Sequence, residues 1–136
     1  MTEFIVATHS TLAEGFGAAF RFFAADTHNL HVLNAYVNGD TTFESRLKSL
    51  VTKLLPNDII VFTDLPGGSV NRIVCEHIEE YAYRVISGIN LPIILELALA
   101  NGQITDESIN SAIQNAKNQL VYMNAALTES EGEEEL

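Results

Sequence analysis

The chain has 136 residues, 47% of them hydrophobic, enough for one sizeable core and too few for two ordinary domains. Its net charge of −11 at pH 7 argues against sequence-independent binding to nucleic acid or anionic lipid, since both require a basic patch. The single cysteine, Cys75, excludes an internal disulfide and a paired-cysteine metal or redox site, and reads as a semi-buried helix residue.

Residues 1–3, Met-Thr-Glu, lack the basic start of a secretory signal, and no apolar run reaches the roughly 18 to 20 residues of a membrane span. A cytoplasmic location without membrane insertion is expected. Residues 4–7 read as a first strand, and Leu12, Phe16, Ala19, Phe20 and Phe23 then recur at helical spacing. Residues 31–37 form a second strand candidate, followed by Phe43, Leu47, Leu50, Val51 and Leu54 on one helical face. Residues 59–62 give the clearest strand, because four bulky apolar residues in succession suit a strand covered on both sides. A glycine-rich loop at 64–69 leads into an expected helix over 70–81, and residues 84–87 form a short fourth strand. Residues 91–100 predict a helix stopped at Gly102, and Thr105-Asp106-Glu107 caps a last helix presenting Ile109, Ala112, Ile113, Ala116, Leu120 and Met123 on one face. Five of the net eleven negative charges lie in residues 129–136, which read as a disordered, solvated tail, so the domain is set at residues 1–128.

Strands alternating with helices predict an α/β fold, a doubly wound and mainly parallel sheet of about four strands flanked by helices. If the strand order is 2-1-3-4, the loops after the first and third strands open at one carboxyl edge, the switch point where such sheets bind ligands. The first loop is Thr8-His9-Ser10 and the third is Asp64-Leu65-Pro66-Gly67-Gly68-Ser69. Neutral imidazole at His9 is a nucleophile able to take a phosphoryl group on one ring nitrogen while the other holds the proton. The Asp64 carboxylate could accept that N–H, fixing the tautomer and stabilising charge on the ring. Gly67 and Gly68 let the backbone turn tightly, and with Ser69 they offer a helix N-terminus to phosphoryl oxygens.

A lone histidine after a strand is usually structural, and a Gly-Gly-Ser loop is more often a turn and cap. Meeting at one edge, they point to a phosphate-handling site that needs no cofactor. His28, His31 and His77 have no comparable setting and read as structural or surface residues, and their spacing makes no metal site with His9. The first loop lacks the GxGxxG of a dinucleotide site, and Asp64 stands without the acidic cluster that holds magnesium in receiver domains.

Three ordered segments resemble the EIIA component of the mannose/fructose/sorbose-type bacterial phosphotransferase system. Thr8-His9-Ser10 after a strand is similar to the family's strand-Thr/Ser-His segment, Asp64 to Ser69 to its Asp-x-x-Gly-Gly-Ser/Thr segment, and Gly88-Ile89-Asn90-Leu91-Pro92 to its Gly-x-Asn-Leu/Ile-Pro segment. Pro66 stands where mannose-specific members often carry an aromatic residue. The resemblance implies a cytoplasmic phosphotransferase with a phosphohistidine intermediate, in which HPr gives its phosphoryl group to His9 and His9 passes it to EIIB during sugar uptake. It implies Asp64 as the group that orients His9, and an indirect association with the EIIC/EIID membrane complex. It also implies a homodimer in which a further strand is exchanged or packed across the interface, making residues 85–90 and the helices after them contact candidates. The alternatives are the phosphotransferase subunit of dihydroxyacetone kinase, which begins with a strand and Ser-His-Ser but lacks the later two segments, and a non-catalytic module binding a nucleotide or small anion.

Overall fold

Two apolar runs, Phe4-Ile5-Val6-Ala7 and Ile59-Ile60-Val61-Phe62, form the centre of a sheet covered on both faces. The structure is a computed structural model and describes residues 1–24 and 29–134. In chain order the elements are β1 (Thr2–His9), α1 (Leu12–Phe23), β2 (Leu30–Ala35), α2 (Phe43–Leu54), β3 (Asp58–Thr63), α3 (Ser69–Glu76), α4 (Ile78–Tyr81), β4 (Arg84–Ser87), α5 (Leu91–Ala98), α6 (Asp106–Lys117) and α7 (Met123–Glu134). All strand pairs are parallel, as the alternation of strands and helices predicts, and the order is β2-β1-β3-β4, the order under which the loops after the first and third strands are expected to share an edge. Among the described residues no further strand joins the sheet.

The period-two geometry of a strand divides each central run between two cores. Phe4, Val6, Ile60 and Phe62 face α1, α5 and α6, where they meet Phe20, Ile94, Leu97 and Ala112. Ile5, Ala7, Ile59 and Val61 face α2 and α3, against Phe43, Leu47, Val51, Val70 and Val74. The Phe4 and Phe62 rings stack at 5.9 Å between centroids, and burying each such ring contributes on the order of 2 to 3 kcal/mol. This apolar register between neighbouring strands fixes where β1 and β3 end, and so which loops share an edge.

Several elements differ from their sequence expectation. The helix expected over 70–81 is two helices, broken at His77, whose ring is held by Glu44 of α2 at 3.1 Å and Glu80 at 3.2 Å. The last amphipathic helix ends at Lys117 instead of running on to Met123, and Leu120 and Met123 are exposed. A separate helix, α7, follows on both sides of residue 128, built on a run of good helix formers around Ala125-Ala126-Leu127. Residues 135–136 of the predicted tail, and His28, lie outside the described residues. Cys75 is exposed, because the buried stripe of α3 consists of Val70 and Val74 and turns the next residue outward. In α1 the inward face uses Ala13, Gly17 and Phe20, leaving Leu12 and Phe23 outside.

One buried polar contact joins the end of β1 to α1. Thr8 is fully buried, and its Oγ1 accepts the Ala13 N–H at 2.6 Å, satisfying a donor in the helix's first turn. Thr8→Val keeps the shape but strands that donor, and should destabilise the fold by about 1 to 2 kcal/mol, read as a lower urea midpoint at unchanged slope. An unchanged midpoint would show that the contact contributes nothing.

Candidate active site

Ala7 pairs with Thr63, so the carboxyl ends of β1 and β3 lie side by side. His9, the last residue of β1, and Asp64, the first beyond β3, meet there. Asp64 Oδ2 accepts the His9 backbone N–H at 3.0 Å and lies 3.0 Å from the ring Nδ1, while Oδ1 accepts the Leu65 N–H at 3.0 Å. Partial burial by itself would raise the Asp64 carboxyl. The hydrogen bonds from the His9 backbone and ring, the charge on the ring and the Leu65 N–H outweigh it and hold the carboxyl below the ordinary aspartate range. An ionised carboxylate only accepts, so Nδ1 is the donor and carries the ring proton of neutral His9.

The other ring nitrogen, Nε2, then presents a lone pair. It lies 3.2 Å from Ser69 Oγ, at the first residue of α3, whose leading N–H groups have no intrahelical acceptor. The loop between is shaped by two glycines with different jobs. Gly67 has φ +77°, a left-handed conformation that side-chain-bearing residues rarely adopt. At Gly68 a Cβ would lie 3.3 Å from His9 Cε1 and 3.2 Å from Leu65 O, so the imidazole rests on bare backbone. All five site residues read from the sequence, His9, Asp64, Gly67, Gly68 and Ser69, thus come together at one edge. The His9 side chain is 35% exposed and that of Asp64 10%, so the imidazole is partly open to solvent while its carboxylate partner is shielded.

The Gly88 to Pro92 segment supports this edge without entering it. The Gly88 N–H donates to Thr63 O at 3.1 Å, tying the loop after β4 to the end of β3. Asn90 caps α5 by accepting the Ile93 N–H at 3.1 Å, and its Nδ2 donates to Ala116 O at 2.9 Å.

One residue at the edge was missed from the sequence. Tyr36, just past β2, tilts its ring over His9 at 5.8 Å between centroids, and its hydroxyl donates to Ser69 Oγ at 3.1 Å. The signal that could have found it is the strand order itself, which sets the end of β2 beside β1, with Ala35 paired to His9.

The family model of the PTS system fructose IIA component, EIIA-man, matches residues 3–117. The chain belongs to this EIIA family. A proposed phosphoenolpyruvate-dependent sugar phosphotransferase system permease from Klebsiella pneumoniae subsp. pneumoniae is similar at 28% identity and a TM-score of 0.82, over 93% of each chain. The PTS IIA protein associated with the fucose utilization operon of Streptococcus pneumoniae is similar at 26% identity and TM-score 0.82, over 93% of this chain and 96% of that one. The mannose/sorbose-specific IIA subunit from Enterococcus faecalis, at 20% identity and TM-score 0.75 over 88% and 92% of the two chains, shares the fold. No curated protein matches the chain.

In this EIIA chain the other described histidines lie away from the edge. His31 Nε2 pairs with Glu3 Oε2 at 2.9 Å near the opposite end of the sheet, and His77 sits between Glu44 and Glu80. Among the described residues no group of three or more His, Cys, Asp or Glu is placed to hold a metal ion, and no helix is long and apolar enough to cross a membrane.

The lowered carboxyl of Asp64 has a consequence for the stability of the EIIA domain. A group whose folded pKa is depressed stabilises the fold above its unfolded value, near pH 4 for aspartate, and loses that contribution as pH falls through the folded value. Asp64→Asn should therefore be less stable than the parent at pH 7 by about 1 kcal/mol, with the gap narrowing at an acid pH where the carboxylate takes up its proton. Denaturant titrations at both pH values check this; a gap that is absent at pH 7 or widens in acid contradicts the assignment.

Proposed function

We propose that this EIIA domain is the cytoplasmic phosphohistidine relay of a sugar phosphotransferase system, taking a phosphoryl group from HPr on His9 and handing it to EIIB. The observation that carries the reading is the pair of hydrogen bonds from the backbone and ring of His9 to one Asp64 oxygen, which puts the proton of the neutral ring on Nδ1 and leaves the lone pair on Nε2 of a partly exposed side chain. The Nε2 lone pair forms the new N–P bond, the bond from phosphorus to the donor breaks, and its electron pair leaves with the donor atom. The Nδ1 proton stays where Asp64 holds it, and the carboxylate offsets the positive charge that the ring acquires. Ser69 and the first N–H groups of α3 receive the phosphoryl oxygens, with Gly67 and Gly68 giving room for the approach. The return step to EIIB is the same exchange run in the other direction.

A histidine partly open to solvent suits transfer between proteins, because the donor must bring its own phosphoryl group to the ring. A homodimer forms across the face bounded by β4, α5 and α6, where an apolar groove of about 220 Å³ is lined by Ile86, Ile89, Ile93, Ile113 and Leu120. Residues 1–128 carry the relay and residues 129–136 take no part in it. Indirect association with the EIIC/EIID complex follows from the EIIB step.

Incubation with enzyme I, HPr and labelled phosphoenolpyruvate should label the parent protein and not His9→Ala. The label should be lost in mild acid and kept in base, as for a phosphoramidate. Asp64→Asn should transfer on the order of 10² to 10⁴-fold more slowly while remaining folded. Label surviving in His9→Ala, or a base-labile and acid-stable adduct, would overturn the reading and point to a serine.

A further inference from the structure

Tyr36 has an unusual backbone for its residue type. It takes φ 65° and ψ 22°, in the left-handed region that bulky side chains avoid, and Ser10, across the same edge, takes φ 54°. The two are linked: the Ser10 N–H donates to Ala35 O at 2.8 Å, the carbonyl immediately before Tyr36. A non-glycine residue held in this region costs stability and persists only where the surroundings over-determine it. Here the outcome of the strain is visible, since it brings the Tyr36 ring back over His9 instead of letting it continue outward from β2.

Three polar atoms then stand in a row. Tyr36 Oη is 3.1 Å from Ser69 Oγ, and Ser69 Oγ is 3.2 Å from His9 Nε2. Their proton directions are not free. Asp64 takes the Nδ1 proton, so Nε2 only accepts, and the one proton of Ser69 must point at it. The Ser69 oxygen is left to accept, and the Tyr36 hydroxyl fills that place. Without Tyr36, the serine hydroxyl is free to turn between Nε2 and water.

We infer that Tyr36 is a positioning residue for phosphoryl transfer, acting through Ser69 and resting on the reading of His9 as the acceptor. Its hydroxyl fixes the rotor of Ser69, so that the serine O–H is aimed at Nε2 in the resting protein. When the Nε2 lone pair forms the N–P bond, and the donor atom departs with the electron pair of the bond it loses, the Ser69 proton swings to a phosphoryl oxygen. No proton is gained or lost in that movement. Tyr36 continues to donate to the same serine oxygen, which keeps the serine's donor proton directed away from the tyrosine and onto the phosphoryl group.

Tyr36→Phe tests this, because it keeps the ring over His9 and removes only the hydroxyl. Single-turnover phosphorylation by phospho-HPr should slow about 3- to 10-fold, the worth of one hydrogen bond, at an unchanged thermal midpoint. In a Ser69→Ala background the same change should have no further effect on the rate, since the interaction runs through the serine. Nitrogen-detected NMR of the resting protein should show the His9 Nε2 resonance moving in Tyr36→Phe toward that of an unbonded lone pair. A parent labelled on His9 with a Tyr36→Phe variant of equal rate, or an equal loss with and without the Ser69 hydroxyl, overturns this inference alone. A parent left unlabelled on His9 overturns the relay reading and this inference with it.

Discussion

One carboxylate oxygen receiving two N–H groups from a single residue on the neighbouring strand organises this protein's edge. Asp64 Oδ2 holds His9 by its backbone and by its ring, which fixes the position of the residue and the aim of its side chain together. The arrangement depends on β1 and β3 being parallel neighbours that end at the same level, and that in turn depends on the apolar register of Phe4 to Ala7 against Ile60 to Thr63. The carboxylate is affordable there because it is only partly withdrawn from water and accepts three N–H bonds, so desolvation does not neutralise it. An aspartate one residue deeper in β3 would point into a core face and lose both conditions.

The rest of the edge fits the relay role proposed for His9. A histidine in that role has to be reachable from outside, yet its tautomer must be set by a partner that water cannot easily replace. The exposures of His9 and Asp64 divide along that line. Gly68 contributes by having no side chain, since the imidazole packs on its backbone, and Gly67 by taking the turn that starts α3 beneath the ring. Tyr36 closes the third side, from the strand on the far flank of β1. The site is therefore drawn from three strands, although only two of its loops carry recognisable motifs.

The fold and the motif-bearing part of the site were legible because they are written in short-range patterns with strong physical causes. Runs such as Ile59 to Phe62 suit a doubly covered strand, and the order of the strands brings His9 to Asp64. Tyr36 escaped because nothing in a tyrosine announces a left-handed backbone; its placement is a tertiary effect of Ser10 bonding to Ala35. At the break, His77 meets Glu44, thirty-three residues earlier, a contact that no local pattern reveals. The early end of α6 was obscured for a different reason. Leu120 and Met123 continue the helical spacing of Ile109 and Ala116, so periodicity extended the helix, while the chain leaves it at Lys117 and exposes both.

The claim on which the account turns is that Asp64 keeps the proton of neutral His9 on Nδ1 and leaves Nε2 bare. Long-range proton–nitrogen correlation of the His9 ring, recorded at a pH where the imidazole is neutral, reads the tautomer directly. The account predicts a protonated Nδ1 and an unprotonated Nε2 in the parent, with the preference lost in Asp64→Asn. A parent ring protonated on Nε2, or a tautomer mixture that Asp64→Asn leaves unchanged, would contradict it.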